Sequence, residues 1–211
     1  IQIGLQPGNY RITAEKEKVG LQAHDVRVRL GGTSEVNFNL SPQGAAPLSK
    51  EDQAKIDAFK KVFEAGVAAS NASNYDEAIA KFNEAVAIIP TCYNCYNNIA
   101  YSYTAKKDYA NAEPAYKKSI EVKPDDAAAY VGLAGIYFNT GKAADVKPLV
   151  EKAISIDASN ADAHYIYGMT LVAENPAKAK SEFEEFVKLA PTAPNAAIAK
   201  SLITELEKQV K

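Results

Sequence analysis

The chain has 211 residues, 47% of them hydrophobic, with 24 basic against 26 acidic side chains and a formal net charge of -2. That length supports one or two domains with cores of their own. The balanced charge gives no electrostatic footprint for nucleic acid, and no apolar run approaches the roughly 18 residues that a membrane-spanning helix needs.

Residues 1–40 alternate with a period of two, the signature of strands with one buried face. Tyr10, Ile12 and Ala14 alternate with Arg11, Thr13 and Glu15; Val26, Val28 and Leu30 with Arg27 and Arg29; Val36, Phe38 and Leu40 with Asn37 and Asn39. IQIGL at the start reads as one more strand. Pro7-Gly8 and Gly31-Gly32 read as turns. The chain starts at Ile1, inside a strand-like stretch and without methionine, so a processed or incomplete chain is expected.

The layout LQPGNYRITAEKEKVGL…VRVRLGGTSEVNFNL resembles the C-terminal half of carboxypeptidase-regulatory-like β-sandwich domains, with their P-G-x-Y strand and Gly-rich turn before a last strand. A full sandwich has about seven strands, and only about four can be drawn here. The missing strands leave open edges, to be covered by chain before Ile1 or by another molecule.

Residues 41–49, SPQGAAPLS, form a linker, and Ser49 with Asp52 is placed to cap a helix. That helix runs into Asn74–Pro90, NYDEAIAKFNEAVAIIP, where Ala78, Ile79, Phe82, Ala85, Val86 and Ile89 make one helical stripe before a proline stop. The stripe repeats every 34 residues. Ala78 becomes Ala112, Phe82 becomes Tyr116 and Pro90 becomes Pro124. A third copy holds Val146, Val150, Ala153 and Ala158, and a fourth, one residue short, holds Ala179, Phe183, Phe186 and Pro191. The preceding helix of each unit repeats as well, as Ala65-Gly66, Ile99-Ala100, Leu133-Ala134 and Tyr167-Gly168. Pro114 and Pro148 fall at equivalent places, expected near a first turn. Ala196, Ile198, Ala199, Leu202, Ile203 and Leu206 mark the buried side of a last helix, with Glu205, Glu207, Lys208 and Lys211 on the wet side.

These small, aromatic and proline positions resemble the tetratricopeptide repeat over about residues 59–191. No tryptophan opens any first helix, and Ala158 stands where the third copy would have proline. The resemblance implies a mainly α fold: a right-handed α-solenoid of about four helix pairs with a capping helix, beside a small antiparallel β module. The expected division is a β module at 1–40, a linker at 41–49, a solenoid at 50–194 and a cap at 195–211. The repeats fall at about 59–92, 93–126, 127–160 and 161–193.

Chemistry has few places to reside. Cys92 and Cys95 in TCYNC suit a local disulfide, a redox pair or half of a metal site. His24 and His164 are the only histidines, they lie far apart in sequence, and Tyr96 stands where a c-type haem would need histidine. A disulfide ranks first, then reduced buried thiols, then redox or metal function. No nucleophile–base–acid set and no phosphate loop is visible, so no catalysis and no cofactor are expected.

The repeat resemblance also implies a concave groove along the first helices. On this chain it would comprise Phe63, Val67, Asn94, Asn97, Tyr101, Val131, Phe138, Asn139, Asp162, Tyr165 and Met169. The family's carboxylate clamp uses cations there, and Phe63 and Val67 replace them. The expected function is a non-catalytic protein-interaction scaffold that self-assembles head-to-tail into an extracellular filament through its incomplete β module. The alternatives are a monomeric adaptor holding a partner in the groove and, more remotely, a C-x-x-C thiol-disulfide protein. The partners are proteins, copies of the chain among them. The β module joined to a solenoid, and the cysteine pair, point to a secreted, periplasmic or cell-surface bacterial protein.

Overall fold

The computed structural model describes Gly8–Lys16, Gly20–Val28 and residues 49–209. The backbone separates into two units, Ile1–Gln53 and Ala54–Lys211. In the first, β1 (Gly8–Lys16) pairs antiparallel with β2 (Gly20–Val28), in a register that sets Gly8 opposite Val28 and Lys16 opposite Gly20. The expected strands at 1–5 and 36–40, the turns at Pro7 and Gly31-Gly32, and the linker up to residue 48 lie outside the described residues.

Nine helices follow among the described residues. They are α1 (Lys50–Asn71), α2 (Tyr75–Ile88), α3 (Tyr93–Ala105), α4 (Tyr109–Val122), α5 (Ala127–Asn139), α6 (Ala143–Ile156), α7 (Ala161–Leu171), α8 (Pro176–Leu189) and α9 (Ala196–Gln209). From α2 to α9 each helix packs on the next. Further contacts join α3 to α5 and α5 to α7, so the first helices of successive units lie side by side.

The helix ends follow from local chemistry. Ser49 Oγ accepts the Asp52 N–H at 3.0 Å and opens α1. Asn160 and Asn175 cap α7 and α8 in the same way, each at 3.0 Å. At the other ends, the cap residues Ile89, Lys123, Asp157 and Ala190 are spaced thirty-four, thirty-four and thirty-three residues apart, the period of the sequence. Proline follows three of them. In the third unit Asp157 does the work of the missing proline, its Oδ1 accepting the Ser159 N–H at 2.9 Å and hydroxyl at 2.6 Å, a turn that competes with helix. The turns from first to second helix also repeat. Ser73, Lys107 and Gly141 all take positive φ, at 61°, 59° and 74°, and only the last is relieved by being glycine.

Packing obeys a size rule across each helix pair. Phe82 and Phe183 are fully buried. A Cβ on Gly66 would stand 2.9 Å from the Phe82 ring, and one on Gly168 would stand 2.7 Å from that of Phe183. In the middle units the small partner is Ala100 or Ala134, and the large one is Tyr116 or Val150. The Tyr116 ring instead lies against Gly132, where a Cβ would meet it at 2.2 Å. Glycine therefore stands where a ring abuts the facing backbone.

Two expectations are corrected. Pro114 and Pro148 are each the sixth residue of their helix, in the second turn rather than the first. Both are exposed, so the bond each forfeits leaves a carbonyl on the wet side of the helix. Ile198, expected inside, is 51% exposed. The buried stripe of α9 runs through Ala196, Ala199 and Leu206, and position 198 turns away from it.

Candidate functional site

α3, α5 and α7 lie side by side and enclose a groove of about 360 Å³. α3 contributes Asn97, Asn98 and Tyr101, and α5 contributes Ala128, Val131 and Gly132. Asp162 comes from the first turn of α7, with its cap residue Asn160, and Tyr116 of α4 lies behind Gly132. The bare Gly132 keeps this wall low, because any side chain there would collide with the Tyr116 ring. Burial pushes the Tyr116 phenol up. A second depression, of about 430 Å³, adjoins the first and shares Asn98 and Tyr101 with it.

Tyr101 is 53% exposed and is the most prominent aromatic of the groove. Tyr75 meets it edge-on at 6.4 Å and so fixes its ring. Asn97 donates its Nδ2 to the carboxylate of Asp126, the cap residue of α5, which ties α3 to α5. Its Oδ1 is buried with no partner among the described residues. Asn98 donates its Nδ2 to the Asn94 carbonyl one turn back, at 2.8 Å.

Of the residues expected on this face, Asn97, Tyr101, Val131 and Asp162 come together in the groove. Phe138, 40% exposed, and Met169 line a separate depression of about 420 Å³ with Lys147 and Glu174. Asn94 and Asn139 are exposed outside both. Phe63, Val67 and Tyr165 are half-buried instead. Phe63 stacks on Phe59 at 5.7 Å and meets Phe82 at 5.5 Å, and Tyr165 meets Phe186 at 5.0 Å, so these rings belong to the packing. The expectation passed over Asn98, Tyr116, Ala128, Gly132 and Asn160. Asn98 could have been found, since it precedes Tyr101 by three residues on the same helix and Gly132 by one full period.

Cys92 and Cys95 are joined at the start of α3, with their Cα atoms 5.3 Å apart, and Cys92 Sγ accepts the Cys95 N–H at 3.1 Å. Both belong to an apolar cluster with Phe82, Ala85 and Ile99. His164 is buried as well, one ring nitrogen 2.7 Å from Glu182 Oε2 and the other 3.1 Å from the Ala158 carbonyl. It fastens α7 to α8 and to the turn after α6.

The polar ties between units recur in kind. Glu113 of α4 accepts from Lys117 at 2.7 Å, Lys142 at 2.8 Å and the Tyr137 hydroxyl at 2.9 Å. The lysines at its side bring its carboxyl down to about 2. Tyr167 likewise donates to Glu151 and accepts from Lys178 at 2.7 Å. Burial pushes its phenol up.

Residues 103–169 match the family model described as a tetratricopeptide repeat. Among curated proteins, the Hsp70-Hsp90 organizing protein of Triticum aestivum is 32% identical over 95 residues, 45% of this chain and 16% of the relative. The chain thus spans about a sixth of that relative's length. Among solved structures, pilF of Pseudomonas aeruginosa superposes with a TM-score of 0.65 at 16% identity, over 74% of this chain and 72% of that one. The first tetratricopeptide domain of Spaghetti (RPAP3), bound to the HSP90 peptide SRMEEVD, superposes with a TM-score of 0.51 at 18% identity, over 56% and 92%. At these identities the structures speak for the solenoid fold.

Proposed function

We propose that the chain is a non-catalytic adaptor that holds an extended segment of a partner protein against α3, α5 and α7. The observation that carries this reading is the groove itself. It joins an exposed aromatic, an apolar wall and unspent hydrogen-bonding groups along the inner helices of a repeat solenoid. A relative is named as an organizer of two chaperones and a structural neighbour holds a short peptide, which is consistent with an adaptor role. The head-to-tail filament expected from the sequence depends on strands outside the described residues, and nothing in the solenoid favours it. A joined cysteine pair suits an oxidising compartment, in line with a secreted or periplasmic protein.

The test is selection of a random dodecapeptide display library on the full chain and on Tyr101→Ala. Tyr101 is exposed and carries no core packing, so the variant keeps the fold and is expected to lose most of the selected binders. Recovery of no binders, or of binders indifferent to Tyr101→Ala, would overturn the reading.

A further inference from the structure

Charge is sorted by helix in this solenoid. α3 and α5 contain no charged residue at all, and α7 contains only Asp162 and the buried His164. From α2 onward the lysines of the repeats sit on the second helices and in the turns, while α1 carries Lys60 and Lys61. Asp162 is therefore the one formal charge among the groove's lining residues, and it is exposed and makes no ion pair among the described residues.

Three of the uncharged groups lean the same way. Asn97 and Asn98 both direct an amide N–H to acceptors within the chain, which fixes the orientation of each amide. Neither amide therefore offers that N–H to a ligand. Asn160 is the exception, since its oxygen is spent on capping α7 and its amide N–H groups are left as donors. Tyr101 adds a half-exposed π face, which attracts cations rather than anions. Carboxylate and ring face both call for a positively charged ligand.

We infer that the groove selects a peptide segment bearing lysine or arginine, with a cation set against Asp162 and the segment lying along the groove over the Tyr101 ring. It rejects acidic C-terminal tails, for which it holds no counter-charge. This inference rests on the reading of the groove as a peptide site. A carboxylate in the first turn of α7 also suits the helix dipole. That role affects stability and not ligand choice, so the two separate in a binding assay.

The experiment continues from the selected peptides. Those lost on Tyr101→Ala are expected to be enriched in lysine and arginine. Changing the basic residue of the tightest one to glutamine should weaken it about tenfold by fluorescence anisotropy, and Asp162→Asn should weaken it by a similar factor, as for one lost charge pair at an interface. Asp162→Lys should reverse the preference toward labelled SRMEEVD, which the unaltered chain should not bind. Circular dichroism on each variant confirms the fold. Tyr101-dependent peptides without basic enrichment, or SRMEEVD binding as tightly as the basic peptide, would overturn the charge preference and leave the adaptor reading standing. Absence of any Tyr101-dependent peptide would overturn both.

Discussion

Glycine in a helix interior normally weakens it, and replacing it by alanine gains about 0.5–1 kcal/mol from propensity alone. Gly168→Ala is expected to do the opposite here. The new Cβ would stand 2.7, 2.8 and 3.0 Å from three carbons of the Phe183 ring, where comfortable carbon contacts begin near 3.5 Å. The ring has little room to retreat, since Phe183 is fully buried and Tyr165 meets it edge-on at 5.9 Å. Overpacking of this kind costs about 1–3 kcal/mol. With the ring so confined, the net expected loss is about 1–2 kcal/mol.

The chain supplies its own control. A Cβ on Gly135 would have Ile166 Cδ1 as its nearest neighbour, at 3.9 Å, an ordinary contact. Gly135→Ala should therefore stabilise by about 0.5–1 kcal/mol. Urea unfolding followed by circular dichroism reads both signs, and hydrogen exchange localises the loss to α7 and α8. Pairing Gly168→Ala with Phe183→Val recreates the Ala134–Val150 combination of the third unit, so a double-mutant cycle should show favourable coupling of at least about 1 kcal/mol. Equal stabilisation by both alanines, or zero coupling, would refute the size rule.

Acid should loosen the middle of the solenoid through Glu113. Its carboxyl is lowered from 4.5 to about 2, so its contribution is complete above pH 4.5 and drains away as pH falls toward 2. Glu113→Gln should flatten that part of the stability–pH curve and cost about 1 kcal/mol at neutral pH, screening by solvent included; an unchanged acid limb would count against the network. The cysteine pair is expected to survive purification without reductant, leaving no titratable thiol in the denatured chain. Its reduction should lower stability by about 2 kcal/mol, the chain-entropy value for so short a loop, and two free thiols in unreduced material would refute the bond.

The second helix of each unit was legible because it has one wet face. Ala78, Phe82 and Ala85 announce a stripe in the sequence and are buried in the structure. The first helices give a weaker signal, since α5 is packed on several sides and its apolar residues run almost without interruption, from Ala127 to Phe138. There the small residue two places after Gly132 carried the alignment. The groove was half legible for the same reason. Counting along a helix finds Tyr101 and Asp162. It does not show that Phe63 and Tyr165 turn into ring contacts of the core, since both are made to other aromatic side chains whose orientation is set by tertiary packing. Nor does sequence reveal that the Tyr116 ring of α4 reaches across to Gly132 and so helps to line the groove.

The groove is also fixed before any partner arrives. α3 is held at its start by the Cys92 cap and α7 by the Asn160 cap, while Asn97 and Asp126 tie α3 to the start of α5. Tyr101 is steadied by Tyr75, from the start of α2. Binding therefore orders little of the adaptor, and the entropy cost falls on the partner segment. In such a site selectivity comes from which groups are left unspent. The structure spends amide N–H donors of Asn97 and Asn98 on internal ties and keeps a lone carboxylate on the groove. The bonds that make the walls rigid are thus the ones that set the sign of the ligand.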